Sequence, residues 1–540
     1  MQSTALSNPV REHSSQTNSR GLPRLVTVCL LLAIIPTFAV YGIRIHSLLE
    51  QGSFTETTGY EGPMIYGVWK AAHHFPLYES LIHPLSSNTL YNYLFYKSYG
   101  VLISGVAPND PIALLVSRLT TCLFATLGVL FCCIASMVLA VSNDGRRLPN
   151  ALLAAALFWF STSPVGWFGI SVRPDVAAVA MASLGLLFLL LYLKNSHQQM
   201  LLYSSLAFFL AWSFKQSVIL TFIGAVCIHI LLIRNLRALM LQVLPFTICV
   251  GVALYIGGAD YRFNILVVPT LGSFAANWAW TFPSKAVLEN PLLYGSLPLA
   301  ALFLIRQNSA VAGDFHKLSI HNRSAQVLAF AILIVVTFLG GFALCFRAGA
   351  DRNYFFEAGM VACVGLVPGL SVLFDGRRRF AKAWTVLGTT AVATVCLIQL
   401  ASYGLQRSQA TAKVWKLPLL GASEFGRLAL LSEGQMKARL GLASYIAAQP
   451  KPVLVMDDIF SQPFYSTGGL FPAFVQDPNI SSDLLKHRII RTDPMAAAIT
   501  GHVFPTLLLH DPDLSALALR EGYVFSGGVD GYLQGYNLPR

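Results

Sequence analysis

Hydrophobic residues fall into eleven long blocks along the chain, at 25–41, 111–141, 150–166, 176–193, 200–214, 217–233, 239–257, 291–305, 327–346, 355–374 and 384–403. Crossing a bilayer takes about 20 mostly apolar residues, so each block predicts a spanning helix. The pair 200–214 and 217–233 reads either as a hairpin or as one long kinked span. Leu25–Tyr41 follows a Ser/Asn-rich stretch without a small-residue cleavage site and reads as a signal anchor. After 404 the pattern changes. Residues 424–448 have helical periodicity, Pro452–Met456 and Thr506–His510 read as strands, and Gly522–Gly528 as a third. The expected organisation is a disordered tail over 1–24, a membrane region over 25–404 with a large loop at 43–110, and a small soluble α/β domain over 405–540.

Composition supports this. Charged residues make up 11% of the chain and mean hydropathy is +0.60, against about 25% charged in soluble domains. A soluble enzyme, a disordered chain and a nucleic-acid module are thereby excluded. All nine cysteines lie in apolar blocks without metal-ligand spacing and read as packing residues.

The net charge of +12 is explained by topology, because short cytoplasmic loops collect Lys and Arg. With the N-terminus in the cytoplasm, the inner segments hold Arg11, Arg20, Arg24, Arg146, Arg147, Lys194, Arg234, Arg237, Arg306, Lys317, Arg323, Arg377, Arg378, Arg379 and Lys382. Only Glu12, Asp144, Asp314 and Asp375 oppose them. Alternation holds if 200–233 is a hairpin, which favours eleven spans. Loop 43–110, loop 258–290 and everything after 404 then face outward, as expected of a multi-pass membrane protein.

Several charges recur where the positive-inside rule leaves few. Arg173 and Asp175 open the fourth span, Lys215 lies between the fifth and sixth, and Arg347, Asp351 and Arg352 lie between the ninth and tenth, with Glu357 one turn further. Each could be a snorkelling cation or a helix cap; Asp175 sits where a helix dipole favours a carboxylate. Together they suit a ring of cations around an anionic ligand, with Arg as a planar fork and Lys as a point charge. The first outer loop adds Glu50, Glu56, Glu61 and Glu79, a His73-His74 pair that reads as surface, and the aromatic run Tyr91-Asn92-Tyr93-Leu94-Phe95-Tyr96. Met64, Val68 and Ala72 recur every fourth residue, so 60–78 reads as a helix lying along the interface. Glu61 stands at its start beside Pro63, either as a helix-start acid or as a general base facing a membrane-level cleft.

These segments also resemble a known superfamily. GYEGPMIYGVWKAAHHFPLYE with LYNYLFYKSYGVL is similar to the first outer loop of GT-C glycosyltransferases, in the bacterial branch akin to protein mannosyltransferases and the lipid A aminoarabinose transferase. SVRPDVAAVAMASLGLL, FKQSVIL and GADRNYFFEAGMVACVGL follow in the family's order, and PVLVMDDIFSQPFYSTGG resembles its soluble C-terminal part. The resemblance spans about residues 25–475. It implies an inverting transfer of one sugar from a polyprenyl-phosphate-sugar donor to an extracytoplasmic glycan, lipid or protein acceptor. It further implies Glu61 as general base, with Glu56 in reserve, and Arg173, Lys215 and Arg352 neutralising the departing lipid phosphate. Asp175 would orient Arg173 or touch the sugar, and Asn353, Tyr354, Glu357, Tyr91 and Tyr93 would line the donor pocket. Two features depart from the family. Tyr60-Glu61 stands where an acid pair is usual, and His83-Pro84 where a Lys-Pro-Pro segment is expected, so no ligand set for a divalent metal is visible.

Two other classes fit less well. A transporter or flippase of a lipid-linked sugar would share the cations, but such folds show repeated halves and midplane sites, and this chain shows no repeat. A non-catalytic envelope assembly protein would not need Glu61 together with three outer cations.

Overall fold

The computed structural model describes residues 24–51, 61–80, 89–106, 111–139, 147–160, 165–272, 274–307, 323–347, 352–376, 378–407, 433–450, 452–455, 484–529 and 533–539. Glu56, the tail 1–23, His83-Pro84, Asp351 and most of the PVLVMDDIFSQPFYSTGG segment lie outside them.

Among the described residues every apolar block is mainly helical. In chain order the helices are α1 (Arg24–Gln51), α2 (Glu61–Ala72), α3 (Tyr93–Ser104), α4 (Pro111–Leu139), α5 (Arg147–Trp159), α6 (Val165–Phe168), α7 (Pro174–Asn195), α8 (Gln199–Phe214), α9 (Leu220–Ile228), α10 (Leu236–Arg262), α11 (Ala276–Glu289), α12 (Pro291–Gln307), α13 (Arg323–Leu344), α14 (Phe356–Gly376) and α15 (Arg378–Arg407). Among the described residues six helices are long and apolar enough to cross a membrane, in α1, α4, α7, α10, α14 and α15. The chain is an integral membrane protein. The 200–233 ambiguity resolves into two helices: α8 stops at Phe214, and a non-helical stretch at Lys215–Ile219 precedes α9.

The bundle has a centre and a rim. In α7 and in Arg352–Leu370, 78% of the span is buried; in Leu236–Thr270 only 11% is. Leu236, Met240, Leu244, Ile248, Val252 and Ile256 form an exposed stripe along α10 at intervals of four, as a lipid-facing surface requires. At Gly258 the helix breaks with φ +79°, a conformation that glycine adopts without a Cβ penalty.

Helix α2 differs from the expected interfacial helix. Beyond one apolar face, Glu61, Gly62, Trp69, Lys70 and Ala71 are buried as well. The reason is close packing on α3. A Cβ on Gly67 would lie 2.3 Å from the Tyr96 ring, and one on Gly100 would lie 2.6 Å from the Ala71 methyl. Two glycines facing two bulkier residues let the helices approach until no amphipathic face is left.

After α15 the described residues form a mixed sheet of β1 (Val453–Val455), β2 (Thr506–Leu509), β3 (Val524–Val529) and β4 (Leu533–Asn537), in the order β1-β2-β4-β3. β1 pairs with β2 in parallel; β4 runs antiparallel to both β2 and β3. β2 is buried on both faces, hence its unbroken Leu run. The three sequence-predicted strands are present; β4 is additional. Helices Glu433–Ala448, Pro494–Thr500 and Pro512–Arg520 accompany them. Leu484 and Ile490 pack on Val268, with Leu90, Phe263 and Leu271 alongside, and the His487 ring lies 3.0 Å from the Leu271 carbonyl oxygen.

Candidate active site

Proline at the first position of α7 fixes the helix start, and Arg173 stands at the N-cap in extended backbone. Asp175 therefore falls in the first turn, enclosed by the bundle. Lys215 follows the last residue of α8, where the backbone turns extended. Asn353 belongs to the single 3-10 turn Arg352–Phe355 that leads into α14. Three segments far apart in sequence thus end at one point.

Asp175 is that point. Its Oδ1 accepts from Lys215 Nζ and from Asn353 Nδ2 at 2.7 Å, while Oδ2 lies 3.4 Å from Arg173 Nε. The Arg173 guanidinium also stacks 4.1 Å above the Phe168 ring. Lys215 Nζ sits 5.4 Å from the Tyr91 ring centre and 5.6 Å from that of Tyr354, the reach of cation–π attraction. Arg347 lies close enough to act electrostatically on both tyrosines, and Arg352 is buried beside Asn353. Burial pushes the Tyr91 phenol up from its ordinary value against the pull of Arg173, so Tyr91 keeps its proton at neutral pH and remains a hydrogen-bond donor. The arrangement is one carboxylate between two cations, Arg173 and Lys215, all three nearly sealed from water.

Tyr91 is held from outside. Gln216 Nε2 donates to Leu90 O at 2.7 Å, Tyr78 Oη to Tyr91 O at 2.5 Å, and Asn92 Nδ2 to Trp212 O. The Asn92 Oδ1 in turn accepts from Tyr261 Oη at 2.9 Å. Three consecutive residues of the first loop are thereby tied to the end of α8, to residue 78 and to α10.

Two predicted site carboxylates make different contacts. Glu61 is wholly buried and takes a bidentate pair from Arg118, with Nε to Oε1 at 3.0 Å and a terminal nitrogen to Oε2 at 2.8 Å. Its Oε1 also accepts the Val172 N–H at 2.6 Å. Both Glu61 and Arg118 are at zero side-chain exposure. Glu357 accepts from Leu220 N at 3.2 Å, Thr221 N at 2.7 Å and Thr221 Oγ1 at 2.8 Å. It satisfies the orphan amides at the start of α9 from the neighbouring helix. Tyr93 is 48% exposed, stacked on Tyr78 and beneath Lys97.

No protein-family model matches the chain, and no curated protein matches it significantly. Solved structures do. ArnT from Cupriavidus metallidurans, in the form bound to undecaprenyl phosphate, superposes at TM-score 0.54 and 12% identity over 92% of this chain and 97% of that one. Its apo state gives 0.55 and 13% over the same shares. The chain has the GT-C fold. An archaeal oligosaccharyltransferase, AglB from Archaeoglobus fulgidus in complex with an inhibitory peptide and a dolichol-phosphate, matches at TM-score 0.49 and 12% identity over 95% of this chain and 74% of that one.

On this GT-C scaffold, Arg173, Asp175, Lys215, Asn353, Tyr354 and Tyr91 come together, whereas Glu61 bonds Arg118 and the Val172 amide, Glu357 bonds the start of α9, and Tyr93 stacks on Tyr78. Arg118 escaped sequence reading, although an arginine seven residues into an apolar block is itself a signal. Gln216 and Asn92 carried no signal, since neutral amides are unremarkable at loop ends. Among the described residues no three of His, Cys, Asp and Glu gather. Glu61 is engaged by Arg118, and Asp175 by cations. Among the described residues the donor set therefore does not fit a hard divalent cation, which needs several oxygen ligands.

Proposed function

We propose that this protein is an inverting glycosyltransferase that moves one sugar from a polyprenyl-phosphate donor to an extracytoplasmic acceptor. The observation that carries the proposal is the convergence of Arg173, Lys215 and Asn353 on Asp175. Three donor groups, two of them cations, around one buried carboxylate form a receptor for an anion, with Asp175 as its internal occupant.

Donor binding then amounts to an exchange of anions. The lipid phosphate takes over Lys215 and Arg173, and the Asp175 carboxylate, released from them, is free to accept the proton of the acceptor hydroxyl. The acceptor oxygen bonds to the anomeric carbon, the carbon–oxygen bond to phosphate breaks with its electron pair, and the lipid phosphate leaves onto the cations. Tyr91 and Tyr354 flank Lys215 and shield the charge from water. Glu61 falls outside this step. Its two oxygens are already taken up by the bidentate Arg118 and the Val172 amide. It instead locks α2 and α4 to the backbone just before Arg173.

ArnT is described as bound to undecaprenyl phosphate, which supports the same class of donor here. The proposed topology has eleven spans, a cytoplasmic N-terminus and a C-terminal α/β domain over 405–540 outside a bacterial inner membrane. The test is mass spectrometry of envelope glycans from cells with and without the protein. Loss of a single sugar, restored by the wild type and not by Asp175→Asn, supports the proposal; an unchanged envelope with a lipid-linked intermediate trapped inside would favour a flippase.

A further inference from the structure

Two amide side chains next to the cation cluster have one end fixed and the other open. Gln216 Nε2 donates to the carbonyls of Leu90 at 2.7 Å and Ile265 at 3.4 Å. Asn353 Nδ2 donates to Asp175 Oδ1 at 2.7 Å. These partners are all acceptors, so rotating either amide would set oxygen against oxygen; the hydrogen-bond pattern therefore fixes which end is which. The other ends, Gln216 Oε1 and Asn353 Oδ1, are enclosed and accept no hydrogen bond from any described residue. An enclosed carbonyl oxygen without a donor costs about 1–3 kcal/mol, and native proteins keep few of them without a purpose. Both residues directly follow a cation of the cluster, Lys215 and Arg352.

We propose that the amide oxygens of Gln216 and Asn353 are specificity-determining acceptors for hydroxyl donors on the transferred sugar. The inference rests on the donor reading above and adds the character of the sugar. An acceptor-only surface beside cations selects a ring that presents O–H or N–H groups to it and rejects a deoxy ring at that position. A site built to receive a hydroxyl discriminates strongly because its own polar group is left unpaired when the hydroxyl is missing. The two roles divide the ligand: the cations hold phosphate, which every donor shares, and the amides read the sugar, which differs.

The probes are undecaprenyl phosphate and its mannosyl, glucosyl and galactosyl phosphodiesters, each also as single-deoxy analogues, bound to the full-length protein in nanodiscs. For the wild type, one hexose should bind more tightly than the others. Removal of one of its hydroxyls should weaken it by about 5- to 150-fold. In Gln216→Leu or Asn353→Leu that deoxy penalty should vanish for one position each, as a coupling cycle requires. Thermal unfolding of each variant in nanodiscs shows that it is folded. Gln216→Met, close in shape and without the amide oxygen, should behave as Gln216→Leu does. A deoxy penalty that persists in both Gln216 variants, or equal binding of all three hexoses and their deoxy forms by the wild type, overturns the inference while leaving the phosphate site standing. Failure of undecaprenyl phosphate to bind the wild type overturns the donor reading and this inference with it.

Discussion

Arg118→Met removes one partner of a fully buried ion pair. Glu61 would keep the Val172 amide and lose both guanidinium bonds, at 3.0 and 2.8 Å. Surface ion pairs are worth little, but neither side chain here has any exposure, so water cannot replace the lost partner. Breaking a buried pair from one side costs about 3–5 kcal/mol, most of it from the stranded charge. The double variant Arg118→Met/Glu61→Met removes both charges and should recover more than half of that loss. Thermal unfolding in nanodiscs, followed by tryptophan fluorescence, gives the comparison, with the coupling taken from the cycle of four proteins. A single variant as stable as the wild type, or a double variant no better than Arg118→Met, would refute the reading of Glu61 as a lock and return it to the candidates for the base.

Three other outcomes follow from the same structure. Gly67→Leu should separate α2 from α3, since even its Cβ would meet the Tyr96 ring at 2.3 Å; overpacking of this kind costs about 1–3 kcal/mol, read as a lowered unfolding temperature. Lys70 is buried, and burial lowers its pKa despite Glu79 at 2.9 Å. The unfolded chain thus holds that proton more tightly, so stability should rise with pH between the lowered value and about 10.4; Lys70→Met should flatten that part of the curve. A topology reporter fused at residue 380 should report cytoplasm and one at 410 the outside, with the reverse pattern removing the outer-face placement of the cluster.

How much of this was legible beforehand depends on the kind of residue. Periodicity located the helices of the long apolar blocks, because burial in lipid constrains long stretches at once; α3 and α11, inside the loops 43–110 and 258–290, were not foreseen. The break at Lys215 was visible as well, since a single long span would have put Lys194 and Arg234 on opposite sides. The cation cluster was legible because charges in apolar surroundings are costly and so conspicuous. What stayed hidden were pairings. Arg118 and Glu61 are 57 residues apart, and nothing local to either marks the other as its partner. The same holds for Glu357, whose partners at the start of α9 lie 136 and 137 residues away. The resemblance implies Glu61 as base and Glu357 as a pocket residue; the contacts that tertiary packing gives them are a bidentate Arg118 for one and the first amides of α9 for the other. The burial of α2 was missed for a related reason: Gly67 and Gly100 read as neutral until α2 and α3 are placed face to face.

The central claim is that Arg173, Lys215 and Asp175 form an anion receptor for a lipid phosphate, and equilibrium binding of undecaprenyl phosphate to purified protein in nanodiscs tests it most directly. A charge-assisted hydrogen bond is worth about 1.5–3 kcal/mol, so Lys215→Gln should weaken binding by about 10- to 150-fold. Asp175→Asn removes the competing internal anion and should bind at least as tightly as the wild type. If Lys215→Gln binds undecaprenyl phosphate as the wild type does, or if Asp175→Asn loses it, the cluster is a structural salt bridge and the phosphate site lies elsewhere.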